Sequence, residues 1–184
     1  MRRALLRARP VRHQSSMRAW AAPVCDIVRE AHRGRFNADA LLEVYAADAV
    51  FDDPCGTIRT PRGIVKGFEL IHCLLVVDVD PSDDEWTLHL PSAGGLVFSE
   101  DAAGGDSPDA IPAQARLAQS ATYAFRALPR LRFTLPSTIV VDFDVANQKV
   151  VRHEDRWYGR PVTLNAAHRM WKEWSGKAFV ALFV

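Results

Sequence analysis

The sequence predicts an α+β domain in which N-terminal helices pack on one face of a curved, mostly antiparallel sheet that encloses a pocket. Three observations carry this. Apolar residues recur at helical spacing over residues 24–45 and again from 64 to 74. Three strand-like runs then follow one another between 119 and 158, the last two joined by a hairpin turn. A further helical stripe closes the chain between 164 and 174. At 184 residues the chain is one domain with extensions rather than two packed domains. Its 48% hydrophobic content and five tryptophans can fill an ordinary core, which excludes wholesale disorder and a disulfide scaffold.

Each element has its own warrant. Val24, Ile27, Val28 and Ala31 form one stripe of a helix ending near Gly34. Asn37 is a suitable N-cap for a second helix, with Asp39 in its first turn and Ala38, Leu41, Leu42 and Tyr45 as its buried stripe. Ala49-Val50-Phe51 reads as a short strand running into Asp52-Asp53-Pro54, with Gly56 marking the turn. A third helix spans Ile64 to about Leu74. Trp86, Leu88 and Leu90 alternate as in a half-buried strand. From 91 to 115 the composition turns to Gly, Ala, Ser, Asp and Pro, as expected of a disordered insertion. Strands are expected at 119–128, 131–144 with an interruption at Pro136, and 148–158, with a turn at Ala146-Asn147. Leu164, Ala167, Met170, Trp171 and Trp174 recur three and four residues apart and support a closing helix capped near Gly176.

Charge divides the chain. Residues 1–25 hold six arginines and no acid, the composition of a mitochondrial transit peptide. This sets residues 1–20 apart from a domain over 21–184. A basic tail, or a start at Met17 in a cytoplasmic protein, fits the same residues. Without the head, 17 basic residues face 22 acidic ones, so the body is mildly acidic and nucleic acid is not the expected partner. No run of apolar residues is long enough for a membrane span. Cys25, Cys55 and Cys73 cannot all pair and lack metal-site spacing, so no metal is expected. Asp78-x-Asp80-x-Ser82 starts like a calcium loop, but Asp83 stands where glycine is needed and His89 where glutamate is. No phosphate loop, dinucleotide fingerprint or serine-hydrolase elbow is present.

The stretch from Tyr45 to Gly56, Tyr-Ala-Ala-Asp-Ala-Val-Phe-Asp-Asp-Pro-Cys-Gly, followed by Gly63 and Gly67, resembles the opening of the nuclear-transport-factor-2-like (NTF2-like) superfamily. That cone-shaped α+β fold includes ketosteroid isomerase, scytalone dehydratase and the SnoaL-like polyketide cyclases. The run His153-Glu-Asp-Arg-Trp157 is also similar to SnoaL-like domains. The resemblance implies a cofactor-free pocket for a small apolar or carbonyl-containing molecule. Aligned with ketosteroid isomerase, whose chemistry rests on carboxyl groups of tuned pKa, Asp53 falls at the general base. The position of the family's oxyanion-holding tyrosine falls on Arg29, and that of its protonated aspartate near Ile139, so both neutral donors are missing. The same Asp-Asp-Pro run is equally a strand-ending turn whose carboxylate accepts backbone amides.

Alternation along the last strand puts Val151, His153, Asp155 and Trp157 on one face and Arg152, Glu154 and Arg156 on the other. If the first set faces the pocket, His153 is a proton donor or shuttle and Asp155 its orienting partner, with Phe51, Tyr123, Phe125 and Trp157 as apolar walls. An isomerase, cyclase or dehydratase using general acid–base chemistry is one expectation. The other is a non-catalytic ligand-binding or assembly module that forms a homodimer, favoured by the apolar run 178–184, which otherwise packs on its own helices.

Overall fold

The computed structural model describes residues 11–35, 37–80, 85–89, 113–160 and 162–184. Helix α1 spans Val11–His32 and ends two residues before Gly34, whose φ of +72° suits a residue without a side chain. Met17, Ala21, Val24, Cys25, Val28 and Ala31 are its buried stripe, and Trp20 meets Phe143 edge-on at 5.3 Å. The buried stripe thus reaches back to Met17. Helix α2 covers Ala38–Val44, and Asn37 caps it by accepting from the amides of Asp39 and Ala40. Tyr45, expected on this helix, opens strand β1 instead.

Strand β1 (Tyr45–Asp52) is followed by β2 (Thr57–Ile58), and helix α3 (Pro61–Leu74) starts on a Thr60 cap with proline in its first turn. Strand β3 (Leu75–Val79), absent from the sequence expectations, continues directly from α3, and β4 is Thr87–His89. The long strands are β5 (Ala113–Phe125), β6 (Arg132–Asp144) and β7 (Lys149–Trp157). Helix α4 (Ala166–Phe183) ends the chain. No helix among the described residues is long and apolar enough to cross a membrane.

One sheet holds every strand among the described residues, in the order β2-β1-β7-β6-β5-β3, with β4 also on β5. All pairs are antiparallel except β1 with β7. Pro136 does not interrupt β6. Its carbonyl accepts from the Tyr158 amide, so its missing N–H faces the side on which β7 has run out. Residues 113–115 belong to β5, with Ala113 and Ala115 buried; the remainder of the insertion expected at 91–115 lies outside the described residues. Between the pairs Asp142–Arg152 and Phe143–Val150, Val151 is an extra residue, a β-bulge. Val150, fully buried, takes the inward place expected of Val151, and His153 and Asp155 keep theirs.

The largest departure is α4. It runs on through Gly176, near which its end was expected, to Phe183, and its apolar stripe faces outward: Leu164, Met170, Trp171 and Trp174 are all more than half exposed. The inner face is set by Lys172 and Gly176. A Cβ on Gly176 would lie 1.8 Å from the Thr57 carbonyl oxygen, so only glycine permits this approach of helix to strand.

Candidate functional site

A cavity of about 280 Å³ lies between β1, α3 and α4. Its described walls are almost wholly apolar, chiefly Phe51, Ile58, Phe68, Leu70, Ile71 and Phe179, with Asp53, Cys55 and Ser175 as the polar side chains. Helix α4 closes it and is fastened along its first half. Lys172, buried, donates to the Asp52 carboxylate at 2.6 Å and to the Val162 carbonyl at 3.1 Å. The Ser175 hydroxyl donates to the Cys55 carbonyl, His168 Nε2 donates to the Pro54 carbonyl, and Arg59 pairs with Glu173.

Asp53 does two things at once. Its Oδ1 accepts from the amides of Cys55 and Gly56, both at 2.7 Å, and its amide donates to the Gly56 carbonyl, which makes the turn. Its other oxygen makes no hydrogen bond among the described residues, and the side chain lines the cavity. Burial pushes its pKa up to about 6, opposed by the two amides and Lys172 and assisted by the Asp155 carboxylate. A carboxylate of that pKa is ionised at neutral pH yet basic enough to take a proton.

Asp155 is its lateral neighbour. The parallel register pairs Asp52 with Glu154, so the next residue on each strand, Asp53 and Asp155, come side by side. Asp155 is buried, and desolvation raises its pKa against hydrogen bonds from Trp157 and Ser137. Trp157 Nε1 donates to Oδ2 at 3.1 Å; buried Oδ1 has no donor at good geometry. The Cys55 thiol is pushed up to about 11 by desolvation and by the Asp53 and Asp155 carboxylates, which keeps it protonated and a poor nucleophile.

His153 does not reach the cavity and does not meet Asp155. It is completely buried, shares a 3.0 Å hydrogen bond through Nε2 with His32 Nε2, and a 2.5 Å bond through Nδ1 with the Tyr45 hydroxyl. Phe51 and Phe68 pack against its ring, at 4.9 and 6.1 Å between centroids. Desolvation and the neighbouring His32 hold its pKa well below the usual value, so it stays neutral. The expected role of proton shuttle is therefore replaced by that of a sealed core histidine. Of the expected walls, Phe51 lines the cavity. Tyr123 stacks on Phe133, Phe125 is part-exposed at the sheet end, and Trp157 hydrogen-bonds Asp155. Sequence reasoning missed Phe68, Ile71 and Phe179 as walls and Lys172 as the buried cation. Phe68 and Ile71 sit on one helix at i, i+3, the single signal that could have found them. Among the described residues no three His, Cys, Asp or Glu side chains gather as metal ligands.

No family model matches the sequence, and no curated protein resembles it at a significant level. Solved structures do. A protein of unknown function with a cystatin-like fold from Methylobium petroleophilum superposes with a TM-score of 0.50 at 13% identity, over 78% of this chain and 79% of its own. A proposed aromatic ring hydroxylase from Novosphingobium aromaticivorans gives 0.50 at 14% identity, over 80% and 92%. An NTF2-like protein of unknown function from an Exiguobacterium species gives 0.47 at 10%, over 74% and 98%. These likenesses show the fold, an α+β cone of N-terminal helices on a curved, mostly antiparallel sheet, as in the cystatin-like protein. At such identities the likeness carries the fold and nothing more of function.

Proposed function

We propose that this chain binds a small apolar, carbonyl-containing molecule beneath α4 and moves a proton on it with Asp53, without a cofactor. The observation that supports this is a carboxyl group on the wall of an apolar cavity, with one oxygen fixed by two amides, the other unbonded, and a pKa pushed up to about 6. Such a group accepts a proton from a carbon next to a carbonyl and returns it elsewhere, the common step of isomerisation, cyclisation and dehydration. Asp155 keeps the proton affinity of Asp53 raised through its own charge. Phe51, Phe68 and Phe179 exclude water and hold the apolar body.

The test is α-hydrogen exchange in D₂O with a panel of small apolar ketones and enones, followed by NMR. Exchange should be lost in Asp53→Asn while ligand-induced thermal shifts persist, and the wild-type rate should climb as pH rises through about 6. Unchanged exchange in the variant removes Asp53 from the reaction. A carrier reading has its own support, since Arg29 is ion-paired to Asp26 and Ile139 is buried in the core where the family's neutral donors would stand. Losing one such donor costs about 10²–10³ in rate. Binding without exchange in the wild-type protein would decide for the carrier.

The mitochondrial address remains a proposal about the basic head, bounded by packing. Met17, Trp20 and Ala21 contact the core, so processing should fall before Met17. Intact mass of the mature protein checks this; a form starting after Ala21 would contradict it.

A further inference from the structure

Helix α3 holds two glycines, of which packing demands one and not the other. Gly63 stands in the first turn, where a Cβ would lie 2.7 Å from Ile58 Cγ2, 2.9 Å from Thr60 Oγ1 and 3.2 Å from Val180 Cγ2, so a side chain does not fit. Gly67 stands in the middle of the same helix, and its φ is not positive. Beyond its own helix backbone and chain neighbours, a Cβ there would meet a single atom within 4 Å, the Cδ1 tip of Ile58 at 3.3 Å. A shift of a few tenths of an ångström in that flexible side chain relieves the contact. Glycine weakens a helix interior relative to alanine. Neither packing nor backbone conformation accounts for its presence at 67.

What Gly67 does border is the cavity. Helix α3 walls it with Gly67, Phe68, Leu70 and Ile71, none of which carries a polar side-chain atom. Asp53 and Cys55 stand on the turn after β1, and Ser175 stands on α4. A bound carbonyl compound therefore turns its polar group toward Asp53 and lays its hydrocarbon body against α3. The volume of about 280 Å³ is roughly twice the ~150 Å³ that encloses one benzene ring. It falls just under the ~300–1,000 Å³ of cavities that take drug-sized molecules. That is room for two small rings, and part of it exists because residue 67 has no side chain.

We propose that Gly67 sets the size of the ligand, and that the site takes a carbonyl compound of one or two rings whose apolar body lies against α3 at this position. This rests on the binding half of the proposed function and is independent of proton transfer by Asp53. An added methyl at 67 removes volume from the cavity and, in the same change, strengthens the helix. Binding and stability then move in opposite directions. A glycine kept for packing behaves otherwise, because its replacement lowers both together.

The experiment measures binding of cyclohexanone, 2-tetralone and the four-ring ketone estrone to the full chain by ligand-observed NMR, beside thermal melts without ligand. The wild type should bind 2-tetralone about tenfold or more tighter than cyclohexanone, since a second ring is buried, and estrone more weakly than 2-tetralone. Gly67→Ala should melt at a higher temperature, bind 2-tetralone about tenfold more weakly and keep cyclohexanone within about twofold of the wild type. Gly67→Leu should lose 2-tetralone altogether, with circular dichroism confirming the fold. A lower melting temperature in Gly67→Ala, or an equal loss of both smaller ketones, overturns the proposal, because glycine is then needed for packing. Unchanged 2-tetralone binding in both variants overturns it too, as does a wild type that prefers estrone. If the wild type binds none of the three, the binding reading fails and this inference with it. Absence of α-hydrogen exchange on a bound ketone counts against Asp53 alone.

Discussion

The two ends of the cone treat buried polar groups in opposite ways. At the closed end, His32, His153 and Tyr45 satisfy one another in a sealed chain, walled by Phe51 and Phe68. At the cavity, Asp53 keeps an unbonded oxygen, and next to it buried Oδ1 of Asp155 has no partner among the described residues. Unused capacity beside a cavity is where a ligand can be recognised, whereas a satisfied network contributes rigidity. The position of His153 on the same strand face as Asp155 thus says little about its role; what packs over it decides.

The largest effect that would break this contrast is the loss of the wall between cavity and solvent. Gly176→Val places a branched side chain into the Thr57 backbone, so α4 must lift. We expect a loss of more than about 3 kcal/mol, as for severe overpacking. Any ligand-induced thermal shift should disappear with it, while the closed end keeps its hydrogen-exchange protection. A variant with unchanged melting and binding would show that α4 is not held at Gly176.

Next in size is the buried pair under that helix. Asp52→Asn leaves Lys172 charged in the interior, an expected cost of about 3–5 kcal/mol by urea unfolding. Asp52→Asn combined with Lys172→Met should recover most of this, since no buried charge is then left alone. If the double variant is no better than the single, the pair is not the origin of the cost.

Acid should act mainly on the closed end. Burial lowers the pKa of His32 to about 3 and that of His153 well below 6.5, so both are neutral when folded and protonate when unfolded. Their stabilisation is complete above about pH 6.5 and is lost as pH falls, by about 2 kcal/mol for each histidine between pH 7 and 5. Asp53 has the opposite sign, its raised pKa returning about 1 kcal/mol over the same interval. Unfolding measured at both pH values should therefore show a net loss on acidification, cut to about a third by His153→Leu. A protein equally stable at pH 5 and 7 would contradict the sealed assignment.

How much of this was legible in the sequence follows the range of the contacts. The Asn37 cap, the Asp53 turn and the β6–β7 hairpin depend on residues a few positions apart, and local pattern reveals them. Helix α3 starts at Pro61, three residues before the expected Ile64, because the Thr60 cap outweighs the β-branched residues that follow. Strand β3 is hidden because Leu74-Leu75-Val76-Val77 prolongs the apolar run of α3 without a glycine or proline to mark the change. Lys172 meets Asp52 across 120 residues, and His32 meets His153 across 121, so no local signal announces either. The buried face of α4 escapes the sequence for a related reason: periodicity finds an amphipathic stripe but carries no sign for inside or outside, and here one lysine and one glycine set it.

The smallest expected effect is the sharpest comparison, because it separates stability from function at matched sites. Tyr45→Phe leaves His153 Nδ1 without its partner in a place water does not reach, and should cost about 1–3 kcal/mol. Asp53→Asn should instead stabilise by about 1 kcal/mol at pH 7. The amide oxygen still accepts from Cys55 and Gly56, and the penalty of holding a charge that burial disfavours is gone. The sign can be checked by pH. A folded pKa raised from 3.8 to about 6 means that wild-type stability declines as pH rises through that window, so the advantage of the variant should be absent near pH 4, grow with pH, and be complete above about pH 6. Thermal melts of both proteins at pH 4 and 7 measure it. If Asp53→Asn destabilises at neutral pH, the turn uses the carboxylate as structure alone, and the open end is no more poised for chemistry than the closed one.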